Sequence, residues 1–518
     1  MNGRVVVAML LATGVALALR CPNLAVRPMH NDEAVNAVKF GQLWQHHSWR
    51  YDPNEHHGPT LPYATLALGY VTRAPGYLDW NESRLRVPTV LFAVGVIFLL
   101  LGLADGLGSI GAVYAMLFAA VSPAMVFYSR YYIHEMPLIF FSLLALAAGW
   151  RYWQTRRLIW ALLTGGAIGL MQATKETFVI SIAAAGLALG MNQLWNRLLD
   201  ATSPPFRPLP LNLLHILAGL GAWLAIWVLL FSSFFTNWAG PLDAVRTYTP
   251  WLHRASGASD HLHPWYFYIQ RLIYFHAPKG PVWSEALIPV LALVGSAAAF
   301  ARRGLGKANP SLIRFLALFT LILTAAYSFL SYKTPWCLLN FWLGMLLLAG
   351  VGAAVLLKVA RFQWAMGILL AAGTAQLAAQ AWQAANQYAA DPRNPYVYAQ
   401  TSPDLLNLVR KVEAVTQVEP QPGRTLVKII APDDDYWPLP WYLRRFSQTG
   451  WYNRLPTDPF APVMIVSRQL DARLDESKTH PMVQMFQLRP GVFLELYVEA
   501  DLWRRYVEKN PPPQSADE

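Results

Sequence analysis

Charge is what this sequence has least of. Of its 518 residues, 14% are charged and 55% are hydrophobic, with a mean hydropathy of +0.29. Soluble domains carry nearer to about 25% charge. Long apolar runs recur along the chain, which argues against a soluble globule and for a polytopic membrane protein. The net charge of +11 would point to nucleic acid in a soluble chain. Here the basic residues crowd into short loops beside apolar segments, where they fix orientation, so no nucleic-acid partner is expected. Cysteine is nearly absent: Cys21 and Cys337 stand alone, without CxxC or metal spacing, and a disulfide between them is disfavoured. No Gly-rich nucleotide loop appears, and no internal repeat. Arg20 beside Cys21 spoils a cleavage site after the first apolar run, which therefore reads as a retained helix.

The apolar segments run in order at 4–20, 85–104, 109–127, 136–151, 158–173, 177–195, 211–232, 284–301, 313–330, 336–357 and 363–381. That makes about eleven spans. A shorter stretch, 61–72, reads as a helix at the interface within the polar loop 21–84. With the N-terminus inside, the inner loops hold Arg151, Arg156 and Arg157, then Arg197 and Arg207, then Arg302, Arg303, Lys307 and Arg314, then Lys358 and Arg361. Only the turn at Asp105-Gly106 lacks a basic excess. This is the positive-inside pattern. The outer loops 21–84, 128–135, 174–176, 233–283 and 331–335 hold acids, histidines and aromatics instead. The expected fold class is an α-helical polytopic membrane protein of the inner membrane, residues 1–381, with an extracytoplasmic α/β domain at 382–509 and a disordered tail at 510–518. Strand-like runs at Thr425–Ile430 and Val463–Val466, and a helix from Ser402 to Val415, support that domain.

The polar residues that remain fall in short clusters. Met29-His30-Asn31-Asp32-Glu33 follows the first apolar run. Asn31 or Asp32 suits a helix N-cap, and that alone would account for it. A carboxylate held at the membrane face beside His30 also suits proton abstraction from an acceptor hydroxyl. Adjacent helical residues point about 100° apart, so both acids cannot aim at one atom. Only one of Asp32 and Glu33 can then serve as the base, the other being a structural neighbour. Tyr51-Asp52-Pro53 and Glu55-His56-His57-Gly58-Pro59 come next. Arg130 follows Tyr128-Ser129 and precedes His134-Glu135; it suits an interfacial anchor or, by its forked donors, a phosphate. Lys175-Glu176 sits between two spans with almost no loop, where charge is costly unless paired or wet. Capping of the two helix ends is the plain reading, and a cavity-facing pair the sharper one. Lys333 lies in Tyr332-Lys333-Thr334-Pro335-Trp336, as a snorkelling lysine or a phosphate ligand. His56-His57 and His261-x-His263 lack further ligands, and an Asp32–Glu135 divalent site is not favoured. No metal or other cofactor is expected. Tyr248, Trp251, Trp265, Tyr266 and Tyr268 suit sugar or lipid stacking, or an interfacial helix. The tail motif Asp433-Asp434-Asp435-Tyr436-Trp437-Pro438 follows a predicted strand and suits ion binding, helix capping or acceptor recognition.

Asp32-Glu33 in the first outer loop resembles the protein O-mannosyltransferase and aminoarabinose-transferase superfamily, which has the GT-C fold. His30-x-Asp32-Glu33, Tyr51-Asp52-Pro53, His57-Gly58-Pro59, Ser129-Arg130 to Glu135, Lys175-Glu176, Tyr332 to Trp336 and Trp437-Pro438-Leu439-Pro440-Trp441-Tyr442 resemble its flippase-activity-associated branch. The resemblance implies a polyprenyl-phosphate sugar donor and a lipid, glycan or protein acceptor bound from the outer side. It makes Asp32 the general base. It also implies that Arg130, Lys175 and Lys333 hold the donor phosphate, with His30, Tyr51, His57, Glu135, Glu176, Tyr332 and Trp336 around them. Cations would act on the negative charge left on the departing phosphate. A flippase for lipid-linked sugars, or an assembly factor that kept the fold, is the alternative. Transporters tend to paired repeats and broken helices at the midplane, whereas these motifs cluster at one face.

Overall fold

The computed structural model describes residues 3–54, 57–199, 212–251 and 261–511. Glu55, His56, Arg207 and most of the 510–518 tail fall outside them. The chain divides into two compact units. The first comprises Met1–Leu24, Gln42–Arg73 and Ser83–Tyr398; the second comprises Ala25–Gly41, Ala74–Glu82 and Ala399–Glu518.

The first unit is helical. Among the described residues, seven helices are long and apolar enough to cross a membrane: Gly3–Arg20, Glu82–Leu107, Glu135–Thr155, Phe178–Leu198, Leu213–Phe231, Pro310–Phe329 and Pro335–Val359. An eighth span is broken, Ser109–Val121 and Pro123–Ser129 meeting at 54°. The sequence reads this region as one straight span. Pro123 has no N–H to give the preceding turn and disfavours a helical residue before it, so a new helix starts there with Ser122 as its cap. The other three expected spans are the apolar helices Leu158–Gln172 and Leu287–Ala301, of 15 residues each, and the less apolar Gln363–Trp382. Leu339–Val359 is the centre of the bundle and is buried along almost its whole length. Its neighbours approach closely because small residues face them. A Cβ on Gly352 would lie 1.9 Å from the carbonyl oxygen of Leu291, and one on Gly350 2.3 Å from that of Gly111. Without a hydrophobic drive between helices in lipid, such contact supplies the packing.

The helix break is closed by side chains. Glu285 accepts from Ser122 Oγ at 2.5 Å, Ala124 N at 2.9 Å and Tyr396 Oη at 2.6 Å, and Trp342 Nε1 donates to Ser122 Oγ at 2.9 Å. Two arginines cap the ends of neighbouring helices. Arg20 donates to the carbonyls of Ala119 and Ala120 at 2.9 and 2.7 Å, at the end of Ser109–Val121. Arg130 donates to those of Arg20, Pro22 and Asn23 at 2.9, 2.6 and 2.9 Å, past the end of Gly3–Arg20. A cation at a helix C-terminus satisfies orphan carbonyls and the negative end of the dipole together. The unit also holds a two-residue antiparallel ladder, β1 (Phe275–His276) with β2 (Val282–Trp283).

The second unit is an α/β body. Its sheet comprises β3 (Val427–Ile430), β4 (Thr449–Tyr452), β5 (Val463–Ser467), β6 (Met482–Arg489) and β7 (Val492–Val498), in the order β4-β3-β5-β7-β6. β3 runs parallel to both β4 and β5; β7 runs antiparallel to both β5 and β6. Helix Asp404–Thr416 buries Leu405, Leu408, Val409, Val412 and Val415, a helical stripe, against this sheet's core. The sequence reads 21–60 as loop. Instead Asn31–His46 forms a helix of 16 residues, too polar to register as a span.

Candidate functional site

In the second unit, helix Asn31–His46 begins with a double cap. His30 Nδ1 accepts from Asp32 N at 3.2 Å, and Glu33 accepts from His30 N at 3.0 Å. The second bond is the reaching-back half of a capping box. Arg27 donates to both Glu33 oxygens at 3.3 Å, and Glu33 is fully buried. Asp32 is the accessible acid: its side chain is 44% exposed, with its Oδ1 3.8 Å from His30 Nδ1. Because His30 Nδ1 is an acceptor, its neutral form carries the proton on Nε2. The tail motif holds this segment. Tyr442 Oη accepts from Met29 N at 2.8 Å, Thr401 Oγ1 donates to Met29 O at 2.7 Å, and Gln400 donates to Pro28 O at 3.1 Å. Trp441 Nε1 donates to Glu82 at 3.0 Å while Arg444 lies 3.6 Å over its ring. The motif Trp437 to Tyr442, without a role on sequence grounds, is thus a brace for the loop that carries Asp32.

In the first unit, Tyr51, His57, Glu135, Lys175 and Glu176 come together. The backbone of His57 bridges that of Lys175, with Gly58 N donating to Thr174 O at 3.0 Å and Thr60 N to Ala173 O at 3.1 Å. Only glycine fits at 58, since a Cβ there would sit 2.0 Å from Ala173 O. Lys175 Nζ donates to Glu135, and both are buried. Desolvation works against the charged lysine, but Glu135, Cys337 and Glu176 together hold it protonated, well above its ordinary value. Burial likewise raises Glu176, and the His57 imidazole at 3.2 Å, with Lys175, more than offsets it, so Glu176 titrates below its ordinary value. His134 Nε2 donates to Gly58 O at 3.1 Å. Tyr248 Oη donates to Glu176 O at 3.3 Å, and the Tyr51 ring packs edge-on to Phe231 at 5.0 Å.

A second cluster in this unit surrounds Lys333. Its Nζ donates to the carbonyls of Leu330 and, at 2.9 Å, His263. Tyr398 Oη bonds both His261 Nδ1 at 2.7 Å and His263 Nε2 at 2.9 Å. The His-x-His pair is therefore a clamp on a tyrosine. Tyr332 packs on His261 at 5.0 Å, and Trp336 on Tyr398 at 6.1 Å. Sequence reasoning missed Arg271, on helix Phe267–Ile273. Its guanidinium lies 3.7 Å over the Phe267 ring, which stacks on His263 at 4.1 Å. Among the described residues it makes no hydrogen bond or ion pair, and its Nε is buried. Burial lowers its affinity for the proton; burial, then Arg271, His261 and Lys333, lowers that of His263. Nothing in the sequence marks one arginine in an aromatic loop.

The four candidate cations thus differ. Arg130 is turned onto backbone carbonyls, not held open as a fork for phosphate, because the first helix ends beside it. Lys175 is neutralised by Glu135. Lys333 and Arg271 have no carboxylate partner among the described residues. Among those residues no three His, Cys, Asp or Glu side chains are grouped to hold a metal ion.

A family model described as dolichyl-phosphate-mannose-protein mannosyltransferase matches residues 65–217, which include Arg130, Glu135, Lys175 and Glu176. No curated protein matches the sequence. ArnT from Cupriavidus metallidurans bound to undecaprenyl phosphate superposes with a TM-score of 0.57 at 14% identity, covering 96% of this chain and 99% of that one. The same protein in its apo state gives 0.61 at 13% identity, over 95% and 98%. The Archaeoglobus fulgidus oligosaccharyltransferase tethered with an acceptor peptide gives 0.54 at 12% identity over 88% of this chain; the match spans 64% of that protein. At such identities the likeness is one of fold. The chain is a multi-pass membrane protein with the GT-C fold of the membrane glycosyltransferases.

Proposed function

We propose that this protein transfers a sugar, a hexose in the simplest case, from a polyprenyl-phosphate donor to an acceptor hydroxyl at the outer face of the inner membrane. The observation that carries the reading is the pair of cations without carboxylates, Arg271 and Lys333, in one cluster. Cations withdrawn from water are normally paired, and Lys333 is buried while Arg271 is half-buried. Two left without an anion in an aromatic surround suit a ligand that brings its own negative charge, and a phosphate on a lipid does so. Asp32, accessible and oriented through its capped helix, takes the acceptor proton. The acceptor oxygen attacks the anomeric carbon, the bond from that carbon to the phosphate oxygen breaks, and the electron pair leaves on the phosphate. Arg271 and Lys333 hold that added charge, which is greatest in the transition state. Lys175, Glu135, Glu176 and His57 form a rigid ion network that shapes the outer mouth. The acceptor is a lipid, glycan or protein.

The test is mass spectrometry of lipid-linked sugars and envelope glycans in a deletion strain complemented with wild-type, Asp32→Asn or Arg271→Gln. The lipid-linked sugar should accumulate in the deletion and in both variants, and fall with the wild-type gene. An unchanged pool in the deletion strain rejects the transfer reading; full rescue by Asp32→Asn rejects the base.

A further inference from the structure

The three acids at 433–435 and the aromatics around them have no part in the chemistry above. Of the three acids, Asp434 lines a cavity of about 880 Å³ in the second unit, together with Tyr436, Trp451, Tyr452, Asn453 and Arg454 among others. Small-molecule sites commonly span about 300–1,000 Å³. Its place in the sheet is informative. β3 ends at Ile430 and β4 at Tyr452, so the cavity lies off the carboxyl ends of two parallel strands. The chain passes from β3 outward to β4, then back across to β5 on the other side of β3. Ligands of open α/β sheets bind outside the carboxyl ends of the strands; the reversal itself falls between β3 and β5, whereas this lining comes from the ends of β3 and β4.

The lining has a specific chemistry. Tyr436 and Trp451 present rings 4.8 Å apart at 42°, and Tyr436 Oη donates to Asp434 at 3.0 Å. Burial and that carboxylate push the Tyr436 phenol up to about 12, so it stays a donor. Asp435 is neutralised by Arg489. Asp433 and Asp434 are exposed and hold left-handed backbone, φ 54° and 56°, which turns them outward at the strand end. Tilted aromatic faces accept the C–H face of a pyranose ring, while carboxylate, amide and guanidinium groups together accept from and donate to its hydroxyls. One carboxylate, Asp434, beside one guanidinium, Arg454, leaves the lining without net charge, which suits a neutral ligand.

We propose that the C-terminal α/β domain binds a neutral saccharide chain in this cavity. The inference stands on the second unit alone and does not depend on the transfer reaction. The experiment is saturation-transfer NMR on the full-length protein in detergent, with mannotriose, maltotriose and chitotriose as neutral probes and 3′-sialyllactose as the anionic one. At least one neutral trisaccharide should bind and the anionic one should not. Tyr436→Ala should weaken binding by about tenfold, the size of one lost ring contact. Asp434→Asn, at an exposed position that leaves packing intact, should weaken it measurably, and Asp32→Asn should leave it unchanged. Absence of signal from all three neutral probes at millimolar concentration overturns the proposal. So does preference for the sialylated probe, or binding unaltered in Asp434→Asn.

Discussion

Arg271 separates two explanations for a cation near a membrane surface. A snorkelling or anchoring arginine can be exchanged for lysine or glutamine with little effect on ligands, because its charge serves only the interface. A phosphate fork cannot: its paired donors fit oxygen geometry that an ammonium meets less well. Arg271→Gln should therefore weaken binding of undecaprenyl phosphate by about ten- to a hundredfold, and Arg271→Lys by less, in a titration monitored by native mass spectrometry. Equal affinity in all three proteins removes Arg271 from the site. The Lys175–Glu135 pair should behave in the opposite way. Lys175→Met leaves a buried carboxylate without its cation and should cost about 3–5 kcal/mol of stability. The double change with Glu135→Leu should recover much of that loss, read as the thermal midpoint in detergent. The pH dependence has a definite sign. Glu176 is depressed relative to its ordinary value, so its contribution is full above about pH 4.5 and is lost as the pH falls through its lower folded value. His57→Gln removes the largest opposing charge and should flatten that acid limb.

At the scale of elements, the brace on helix Asn31–His46 is open to direct test. Tyr442→Phe removes the side-chain acceptor of Met29 N and keeps the ring. The helix keeps its caps, so the fold should lose only about 1 kcal/mol. Transfer should fall further than stability does, because Asp32 lies three residues along, and catalysis is sensitive to small displacements. A variant with normal turnover shows that the brace serves packing alone. These elements were legible in the sequence to different degrees. Apolar runs located every long helix of the first unit, because burial in lipid tolerates few charges. The stripe in Asp404–Thr416 and the strands around Val427 and Val463 followed from their periods. Helix Asn31–His46 did not, because its face is too polar to stand out from a loop. The break at Ser122-Pro123 had the signal, a proline, but an apolar run on both sides hid it. Glu285, the caps made by Arg20 and Arg130, and Arg271 were invisible because each of the first three is defined by partners about a hundred or more residues away, and Arg271 by having no hydrogen-bond partner among the described residues. Of the site, Lys175 and Glu176 could be chosen by their cost in an apolar setting, and Glu135 and His57 only through the motifs of the family resemblance. Their pairing could not, since only the fold puts the backbone of His57 against that of Lys175.

For the whole molecule, orientation follows from parity. Among the described residues, length and apolarity qualify seven helices, or eight with the broken pair. The positive-inside pattern requires three more, Leu158–Gln172, Leu287–Ala301 and Gln363–Trp382. A 15-residue helix rises only about 22 Å, short of a hydrocarbon core of about 30 Å, so two of the three cross only where the bilayer thins or the flanking turns continue the path. The basic clusters at Arg156-Arg157 and at Arg302-Arg303 argue that they do cross. Cysteine labelling decides it. In a background carrying Cys21→Ser and Cys337→Ser, single cysteines at Thr155, Ser331 and Ser477 all lie at exposed positions. With eleven spans and the N-terminus inside, an impermeant maleimide should label Ser331→Cys and Ser477→Cys in spheroplasts, and Thr155→Cys only after lysis. Protection of Ser477→Cys would mean an even number of spans. Protection of Ser331→Cys with Ser477→Cys labelled would place Lys333 on the inner side, away from a donor sugar presented outside, and the phosphate assignment would fall with it.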